Sequence, residues 1–311
     1  MLEEVANNGF KWINVVKPTK AEMNALGREF HFHELNLDDC LSKIQIPKID
    51  RYEDHVFIIL HFPTVAQDKF PRSAQLATFI GRSYLITVHQ GELRSLVELF
   101  EQCKQSDKAR QEFMGKSAGY LFHSIVDILT DELLNIVRKI VGNIEDIEDI
   151  VFDKQADAAN EISYIRREVT MLRRIVIPLR RTLAEITTKD VKRFSDQDLT
   201  LYFDDVNDHI DKVIETIEES KETIEIYKDT DFMHATDRSN KILAVLTIIF
   251  TLSMPVTILS SLYGMNVDMP ILSESINQAF LGRHTTFILI VIASTTAAGT
   301  MLVYFHKIRW I

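Results

Sequence analysis

The feature that most constrains this chain is an uninterrupted apolar segment near its C-terminal end. Residues 242–262 run ILAVLTIIFTLSMPVTILSSL and contain no charged side chain. About 20 such residues are enough for one helix to cross the hydrocarbon core of a bilayer. A second uncharged segment, residues 285–305, follows after a short loop. The sequence therefore predicts two membrane-spanning helices at one end of a chain of 311 residues.

The remaining sequence is typical of a water-exposed body. The formal net charge is −10, which disfavours a nucleic-acid partner. The first ten residues, MLEEVANNGF, lack the basic and apolar regions of a signal peptide. Cys40 and Cys103 are the two cysteines, far apart and without metal-ligand spacing, which fits a reducing compartment. We therefore expect the residues before 240 to form a water-exposed body.

Basic residues around the two spans predict their orientation. Arg238 and Lys241 precede the first span, and Lys307 and Arg309 follow the second. The connecting loop contains Arg283 as its one basic residue. The positive-inside rule places both termini in the cytoplasm and the loop outside. The expected location is the cell (inner) membrane, with lipid around both spans.

Hydrophobic periodicity changes from strand-like to helical along the body. Short runs rich in β-branched and aromatic residues predict strands at 12–16, 56–62, 74–80 and 84–88. Helical patterns lie near 20–30, 34–43 and 93–105, and from about 118 no strand signal remains. The predicted divisions are an α/β domain (1–115), two long antiparallel helices (116–190), a stalk helix continuing into the first span (191–266), an external loop (267–284), the second span (285–305) and a basic tail (306–311).

The stalk combines an apolar seam with strong negative charge. Residues 199–227 repeat apolar positions at alternating steps of four and three, which is typical of a helix that associates with other helices. Residues 196–238 carry 14 acidic against 4 basic side chains. Such a row of acids can be a solvated face. In a parallel bundle of copies the row would repel itself, so divalent cations between subunits are the alternative that we favour.

The first span has a stripe that could line a pore. Several copies would be needed to enclose a path, and neither span contains a carboxylate. A divalent cation that keeps its waters, such as Mg²⁺, could pass neutral oxygens and a hydrophobic constriction. The Ser and Thr hydroxyls could instead serve packing and back-bonding within the membrane. The stripe consists of Asn240, Leu243, Thr247, Phe250, Met254, Thr257 and Ser261.

The first span ends in Tyr263-Gly264-Met265-Asn266, a motif with a specific context. Met269-Pro270 follows it, and the tail KIRWI closes the chain. This arrangement resembles the CorA family of magnesium channels. The resemblance extends over most of the chain, through Pro47-Lys48-Ile49, Asp54–Leu60 (DHVFIIL), Ile177–Arg180 (IPLR) and Tyr202–Val206 (YFDDV).

The resemblance implies an α+β cytoplasmic domain followed by long helices and two C-terminal transmembrane helices, assembled as a funnel-shaped homopentamer. It places a selectivity filter at Gly264, Met265 and Asn266 and an acidic ring at the cytoplasmic entrance on Asp229. Its pore positions fall on Asn240, Leu243, Leu246, Met254 and Thr257. Phe250 puts a large ring where a small residue is common, so it joins the expected gate.

The resemblance also implies regulation by Mg²⁺ at acidic sites between subunits. The stalk carboxylate of that sensor matches Asp205, and Asp68, Asp127 and Asp131 are the candidates for the others. Loss of this Mg²⁺ would let the subunits separate and the pore open. Asp268 and Glu274 are expected to supply the external charge that attracts cations. The transported ion is expected to be Mg²⁺, with Co²⁺ or Ni²⁺ as further passengers.

Other interpretations remain open at this point. A Zn²⁺ transporter of the same architecture would be expected to alter the Gly-Met-Asn triplet, and a membrane-anchored sensor would need no pore. Gly115-Lys116-Ser117 lacks the first glycine of a phosphate-binding loop and is interpreted as the start of a helix. A transition-metal site is a weaker alternative for His31, His33, Glu34, Asp38 and Asp39. No catalytic motif occurs, so an enzyme is not expected.

Overall fold

The computed structural model describes residues 1–42, 45–65, 71–153, 156–186, 190, 194–195, 197–265 and 285–307. The chain divides into two compact units, Met1–Asp231 and Phe232–Ile311.

The N-terminal part of the first unit is built on one mixed sheet. The strand order is β1-β2-β6-β5-β4-β3, and β2–β6 is the parallel pair among otherwise antiparallel neighbours. The strands are β1 (Leu2–Asn7), β2 (Phe10–Val16), β3 (Lys48–Arg51), β4 (His55–Val65), β5 (Pro71–Gly81) and β6 (Tyr84–His89).

The four predicted strands are confirmed, and the two that the sequence did not predict are the edge strands. In β1 (LEEVAN), Val5 is the one buried residue, and in β3 (KIDR) no residue is fully buried. Short, charged strands at sheet edges discourage pairing with other chains, so their sequences lack an apolar alternation. The strand predicted at 56–62 is longer in the structure, because β4 continues through Pro63 to Val65. The pairing of β3 with β4 ends at Ile59, so at Pro63 the described partner of β4 is β5, and a proline is tolerated where a strand has an unpaired side.

Both faces of the sheet are covered by helices. Along β4, Phe57 and Ile59 pack with Met23 of the first helix and Leu37 of the second. Val56 and its alternate neighbours pack with the helices on the other face. A strand buried on both faces is expected to be apolar throughout, which is why residues 55–62 read HVFIILHF.

Helices and short connections make up the rest of the described chain, and four of the helices begin at a capping side chain: Thr19, His33, Ser106 or Ser117. Ser117 accepts a hydrogen bond from the Tyr120 backbone N–H at 3.1 Å, so Gly115-Lys116-Ser117 is a helix start as expected. The helix of residues 107–114 was not predicted, because its sequence DKARQEFM buries one side chain, Met114. The helices are α1 (Lys20–Phe30), α2 (Glu34–Leu41), α3 (Arg94–Gln105), α4 (Asp107–Met114), α5 (Ala118–Asp146), α6 (Glu148–Phe152), α7 (Ala159–Ala184), α8 (Thr200–Tyr263) and α9 (Thr285–Lys307).

The long stalk helix is present as α8, with 64 residues. It begins at Thr200 rather than near Ser195, because Asp198 accepts hydrogen bonds from the backbone N–H and the hydroxyl of Thr200 and forms a turn there. Its seam of apolar residues, from Leu199 to Tyr227, is buried in the same core cluster as α5 and α7. The heptad spacing predicts association with other helices, and those helices belong to the same chain. Within one chain the seam already has partners.

Two helices have the length and composition to cross a membrane. They are Thr200–Leu262, through its uncharged C-terminal part, and Phe287–Lys307. In this second unit the apolar side chains are largely exposed, including Leu243 at 56% and Phe250 at 68%. An exposed apolar surface of this extent is expected for helices that contact lipid or further copies of the chain.

A buried polar network links β2 and β6 at the centre of the sheet. Trp12 Nε1 donates to Thr87 Oγ1 at 3.1 Å, and Thr87 Oγ1 donates to Asn14 Oδ1 at 2.8 Å. The Gly91 backbone N–H donates to His89 Nδ1 at 3.0 Å, so the proton of the neutral ring is on Nε2, which donates to Asn14 Oδ1 at 3.0 Å. Burial lowers the pKa of His89 from 6.5 to about 4. The network therefore needs His89 in its neutral form.

This lowered pKa predicts acid sensitivity of the fold. The folded-state pKa lies below the unfolded one, so the stabilisation is present above pH 6.5 and is lost as the pH falls toward 4. It amounts to about 3 kcal/mol at most. We expect the thermal midpoint of His89→Gln to be lower than that of the unaltered protein at pH 7.5, and the gap to shrink by pH 4.5. His234→Gln, on α8, is the control, and parallel midpoint curves for His89→Gln and the unaltered protein would contradict the assignment.

Candidate functional site

The clearest group of metal-ligating side chains lies where α5 meets the N-terminal part of α8. Asp127 of α5 and Asp205 and His209 of α8 each offer one ligand atom, and these atoms lie within 4.8 Å of one another. Asp127 and His209 are half-buried and Asp205 is exposed. We call these three residues the stalk cluster. Asp127 and Asp205 border a cleft of about 580 Å³ that is also lined by His123 and Ser124.

Helical spacing and aromatic packing position the stalk cluster. Asp205 and His209 are four residues apart on α8, as are His123 and Asp127 on α5, so each pair lies on one helix face. The ring of His123 packs edge-to-face against Tyr202 and Phe203, with centroids 5.2 and 5.5 Å apart. His123 Nε2 donates to the Tyr202 carbonyl oxygen at 3.1 Å. These contacts fix α5 against α8 at the level of the carboxylates.

The electrostatics of the stalk cluster favour an added cation. Burial raises the pKa of Asp127, and the charges of Asp131 and Asp205 raise it further, while the two histidines oppose this. Burial also lowers the pKa of His123, which holds its ring neutral. The Nδ1 atoms of His123 and His209 have no hydrogen-bond partner within the described chain. Unshared lone pairs beside two carboxylates, in a partly desolvated cleft, are what a divalent cation would satisfy.

The donor set fits more than one cation. Carboxylate oxygens suit Mg²⁺, which usually binds through one or two carboxylates and keeps several waters. The imidazole nitrogens suit Co²⁺, Ni²⁺ and Zn²⁺ better than Mg²⁺. Asp127 and Asp205 alone would therefore hold a hydrated Mg²⁺, and His209 adds a ligand that a transition metal would use.

The structure brings together part of the predicted regulatory set. Asp205 and Asp127 lie in one cluster, and Asp131 is close enough to act on the pKa of Asp127. Asp68 lies outside the described residues. His209 and His123 were missed, although their four-residue spacing from Asp205 and Asp127 could have identified them. Of the alternative histidine group, His33 Nδ1 accepts from the Leu35 backbone N–H at 3.2 Å, which is a capping role.

A ladder of ion pairs along the stalk was also missed by the sequence analysis. Three arginines of α7 pair with three carboxylates of α8 at strict steps of seven residues. The two helices are therefore antiparallel and in a fixed register. The pairs are Arg180–Asp211 (2.7 Å), Arg173–Glu218 (2.5 Å) and Arg166–Glu225 (3.6 Å).

The arginine ladder neutralises part of the acidic stalk within one chain. Arg180 binds Asp211 through two parallel bonds, at 2.7 and 2.9 Å. The Arg180 guanidinium lowers the pKa of Asp211, and Arg173 lowers that of Glu218. Both pairs are partly exposed, so each contributes less than about 1 kcal/mol. Arginines of the same chain therefore neutralise some of the 14 acidic residues at 196–238, and cations between subunits are not needed for those.

The predicted pore residues lie on the exposed surface of α8. Two of their hydroxyl groups already donate hydrogen bonds to carbonyl oxygens of the same helix. Thr247 Oγ1 donates to the Leu243 carbonyl oxygen at 2.7 Å, and Thr257 Oγ1 donates to Ser253 at 2.9 Å. Such back-bonding uses the hydroxyl proton and leaves the oxygen free to accept. A water on a cation could donate to that oxygen. The exposed pore candidates are Asn240, Leu243, Leu246, Phe250, Met254 and Thr257.

The structure describes the cytoplasmic end of the predicted conduction path at Asp229, and it describes the external end as far as Met265. Asp229 is exposed on α8, with its carboxylate 3.7 Å from Lys228 Nζ. At the other end, Gly264 N donates to the Ser260 carbonyl oxygen, which ends the helix. A Cβ at Gly264 would lie 3.3 Å from that oxygen, so the tight exit favours glycine. Met265 is exposed. Asn266, Asp268 and Glu274 lie outside the described residues.

Comparisons with known proteins agree with this architecture. A family model described as "CorA-like Mg2+ transporter protein" matches residues 7–307. YfjQ of Bacillus subtilis is 27% identical over 83% of this chain and 78% of its own length. The cobalt/magnesium transport protein CorA of Thermotoga maritima is 25% identical over 96% of this chain and 83% of its own. The zinc transport protein ZntB of Photorhabdus laumondii is 21% identical over 71% of this chain and 66% of its own.

A solved structure shares the fold. The CorA magnesium transporter of Methanocaldococcus jannaschii superposes with a TM-score of 0.76 and 19% identity, over all of this chain and 95% of that one. This likeness confirms the predicted fold of an α+β domain, long helices and two C-terminal helices of membrane-spanning length.

The raised pKa of Asp127 predicts how the stability of the protein changes when this carboxyl is replaced. A carboxyl whose pKa is raised on folding destabilises the fold once it is ionised, so this cost is present at pH 7 and disappears at low pH. We expect Asp127→Asn to raise the thermal midpoint in EDTA and to reduce the further increase produced by millimolar Mg²⁺ or Co²⁺. Asp149→Asn on α6 is the control. An unchanged cation response in Asp127→Asn would contradict the assignment.

Proposed function

The chain belongs to the CorA-like Mg²⁺ transporter family, and from this premise we propose that it conducts Mg²⁺ into the cytoplasm down the electrochemical gradient. The family consists of transporters, so the protein is not an enzyme. The observation that carries the proposal is α8, a helix of 64 residues that joins an acidic stalk to an uncharged span. Tyr263-Gly264-Met265-Asn266 stands at its end.

We propose that the conducting form is a homo-oligomer, a pentamer by resemblance to the family. One or two helices cannot enclose an aqueous path, so each copy would contribute the span of α8 to a ring. Leu243, Phe250 and Met254 would form a hydrophobic constriction that gates by dewetting. Asn240, Leu246 and Thr257 complete the proposed lining. The exposure of these side chains in one chain supports this arrangement.

Selectivity in this proposal resides at the external end of α8. A ring of Asn266 carbonyl oxygens would accept hydrogen bonds from the waters around Mg²⁺, with Gly264 and Met265 shaping the turn. Asp268 and Glu274 would attract cations from outside, and Asp229 would form an acidic ring at the cytoplasmic end. Both termini would be cytoplasmic. A membrane potential of 100 mV then supplies about 4.6 kcal/mol for a divalent cation, twice the value for one charge.

We further propose that the stalk cluster senses cytoplasmic Mg²⁺. Its donors combine α5 and α8 of one chain, and Asp205 is exposed, so it could share a cation with an acidic residue of a neighbouring copy. Asp68 and Asp131 are the proposed additional carboxylates. Bound Mg²⁺ would hold neighbouring copies together in a closed state, and its loss would shift the population toward an open one.

Zn²⁺ is the second candidate for the transported ion. The observation that favours it is His209, whose Nδ1 is unpartnered within the described residues and lies in the stalk cluster. The intact Gly-Met-Asn triplet favours Mg²⁺. A membrane-anchored sensor without conduction is the remaining alternative, and flux measurements separate all three.

The filter proposal predicts loss of flux in Asn266→Ala. Purified protein in liposomes should show saturable Mg²⁺ influx that increases with an inside-negative potential, and Asn266→Ala should reduce it at least tenfold. Asn277→Ala, in the same loop but outside the motif, is the matched control and should retain flux. Flux for Zn²⁺ but not Mg²⁺ would change the ion, and no divalent flux under either condition would favour the sensor.

The sensor proposal predicts loss of feedback in Asp205→Asn. Millimolar Mg²⁺ on the cytoplasmic side should suppress influx through the unaltered protein and suppress it much less in the variant, because one ligand of the cluster is gone. Asp208→Asn, an exposed stalk residue outside the cluster, is the control. Equal suppression in Asp205→Asn and the unaltered protein would place the sensor elsewhere.

A further inference from the structure

A second cleft of about 550 Å³ lies between α5 and α7, well away from the residues of the stalk cluster. Its size is within the usual range for small-molecule sites. Apolar side chains form much of its wall: Ile136, Ile140, Ile147 and Ile165. The remaining lining is mostly polar and includes three carboxylates, those of Asp146, Glu161 and Glu168. Neither the transport path nor the proposed sensor uses any of these residues.

Glu168 is the unusual residue of this cleft. Its side chain is 5% exposed, and Asn143 lines the cleft beside it. Its Oε2 atom has no partner among the residues that the structure describes. A buried carboxylate oxygen without a donor is costly, and such atoms are rare in folded proteins. Glu168 lines the cleft, so a rotation of its side chain would present this acceptor to a ligand bearing N–H groups.

The other acids of the cleft are spread along it. Glu161 precedes Glu168 by seven residues on α7, which places the two about 10.5 Å apart along nearly one face. Asp146 is on the opposite wall, on α5. Within the described part of the chain these carboxylates do not form a group with ligand atoms within 4.8 Å of one another. They are thus too dispersed to coordinate one metal ion together.

We propose that this cleft binds an alkyl polyamine, with one ammonium group on Glu168 and a second near Glu161. An ammonium group provides three donors, so it can satisfy the unpartnered Oε2. Methylene segments between the charges match the isoleucine wall, as expected for a ligand with charges separated by apolar chain. Three carboxylates against the one ammonium of Lys139 give the lining a net charge of −2.

Lys139 is the competing cation in this cleft. It is exposed, and its charge acts on Glu168 and opposes the effect of burial on that carboxyl's pKa. Its flexible side chain competes with the ligand for the same carboxylate. Removal of this charge should therefore strengthen polyamine binding, an effect that a purely structural role for Glu168 does not produce.

The test is calorimetric titration of the full-length protein in detergent with spermidine, without divalent cations and at 150 mM salt. We expect one site per chain, weakened about 10- to 100-fold in Glu168→Gln, since a hydrogen bond between two charged groups is lost. Lys139→Met should bind more tightly. Putrescine, which is shorter, should bind more weakly than spermidine.

Glu222→Gln controls for attraction of a polycation to the acidic stalk, because Glu222 is exposed on α8 outside the cleft. Equal weakening in Glu168→Gln and Glu222→Gln, or binding that disappears at 300 mM salt in all variants, would overturn the proposal. If Glu168→Gln fails to fold, Ile136→Trp, which fills the cleft from a half-buried position, replaces it. Undiminished spermidine binding in Ile136→Trp would equally overturn the proposal.

Discussion

The rest of the structure depends on how α8 carries 12 acidic residues between Thr200 and Arg238 and still packs against its neighbours. Two devices address this within the first unit. The arginines of α7 pair with the row that starts at Asp211, and the apolar seam is buried against α5 and α7. The acids of the stalk cluster are left without such pairing. At the stalk cluster, two of the unpaired acids lie beside a histidine, so a cation has ligands there.

The core of the fold could be predicted from the sequence because its signals are periodic and long. β4 and β5 have apolar runs, and α5, α7 and α8 repeat apolar residues at three- and four-residue steps. The elements that escaped prediction bury little. The edge strands β1 and β3 and the short helix α4 are held by hydrogen bonds and by their neighbours, and their own sequences are polar. Contacts with neighbouring elements, and not the hydrophobic periodicity of their own sequences, determine their positions.

The candidate site was predictable only in part, because its members come from two helices. The family resemblance identifies Asp205 and Asp127, whereas His209 joins them only through the packing of α5 against α8. For the apolar seam of α8, the sequence predicts the burial but not the identity of the partner helix. Its heptad spacing correctly predicted burial, but spacing alone does not say whether the partner helix belongs to the same chain. The seven-residue repeat of arginines in α7 was the available clue, since it matches the spacing of the acids.

That matched repeat has a consequence for how the stalk can vary in length. The pairs between α7 and α8 recur every seven residues, after which an α-helix returns to within about 20° of the same face. One residue inserted between Asp211 and Glu225 would rotate the remaining carboxylates by about 100° away from their arginines. An insertion of seven would restore the facing surfaces. Natural and engineered variants of the α7–α8 pair are therefore expected to differ in length by multiples of seven residues.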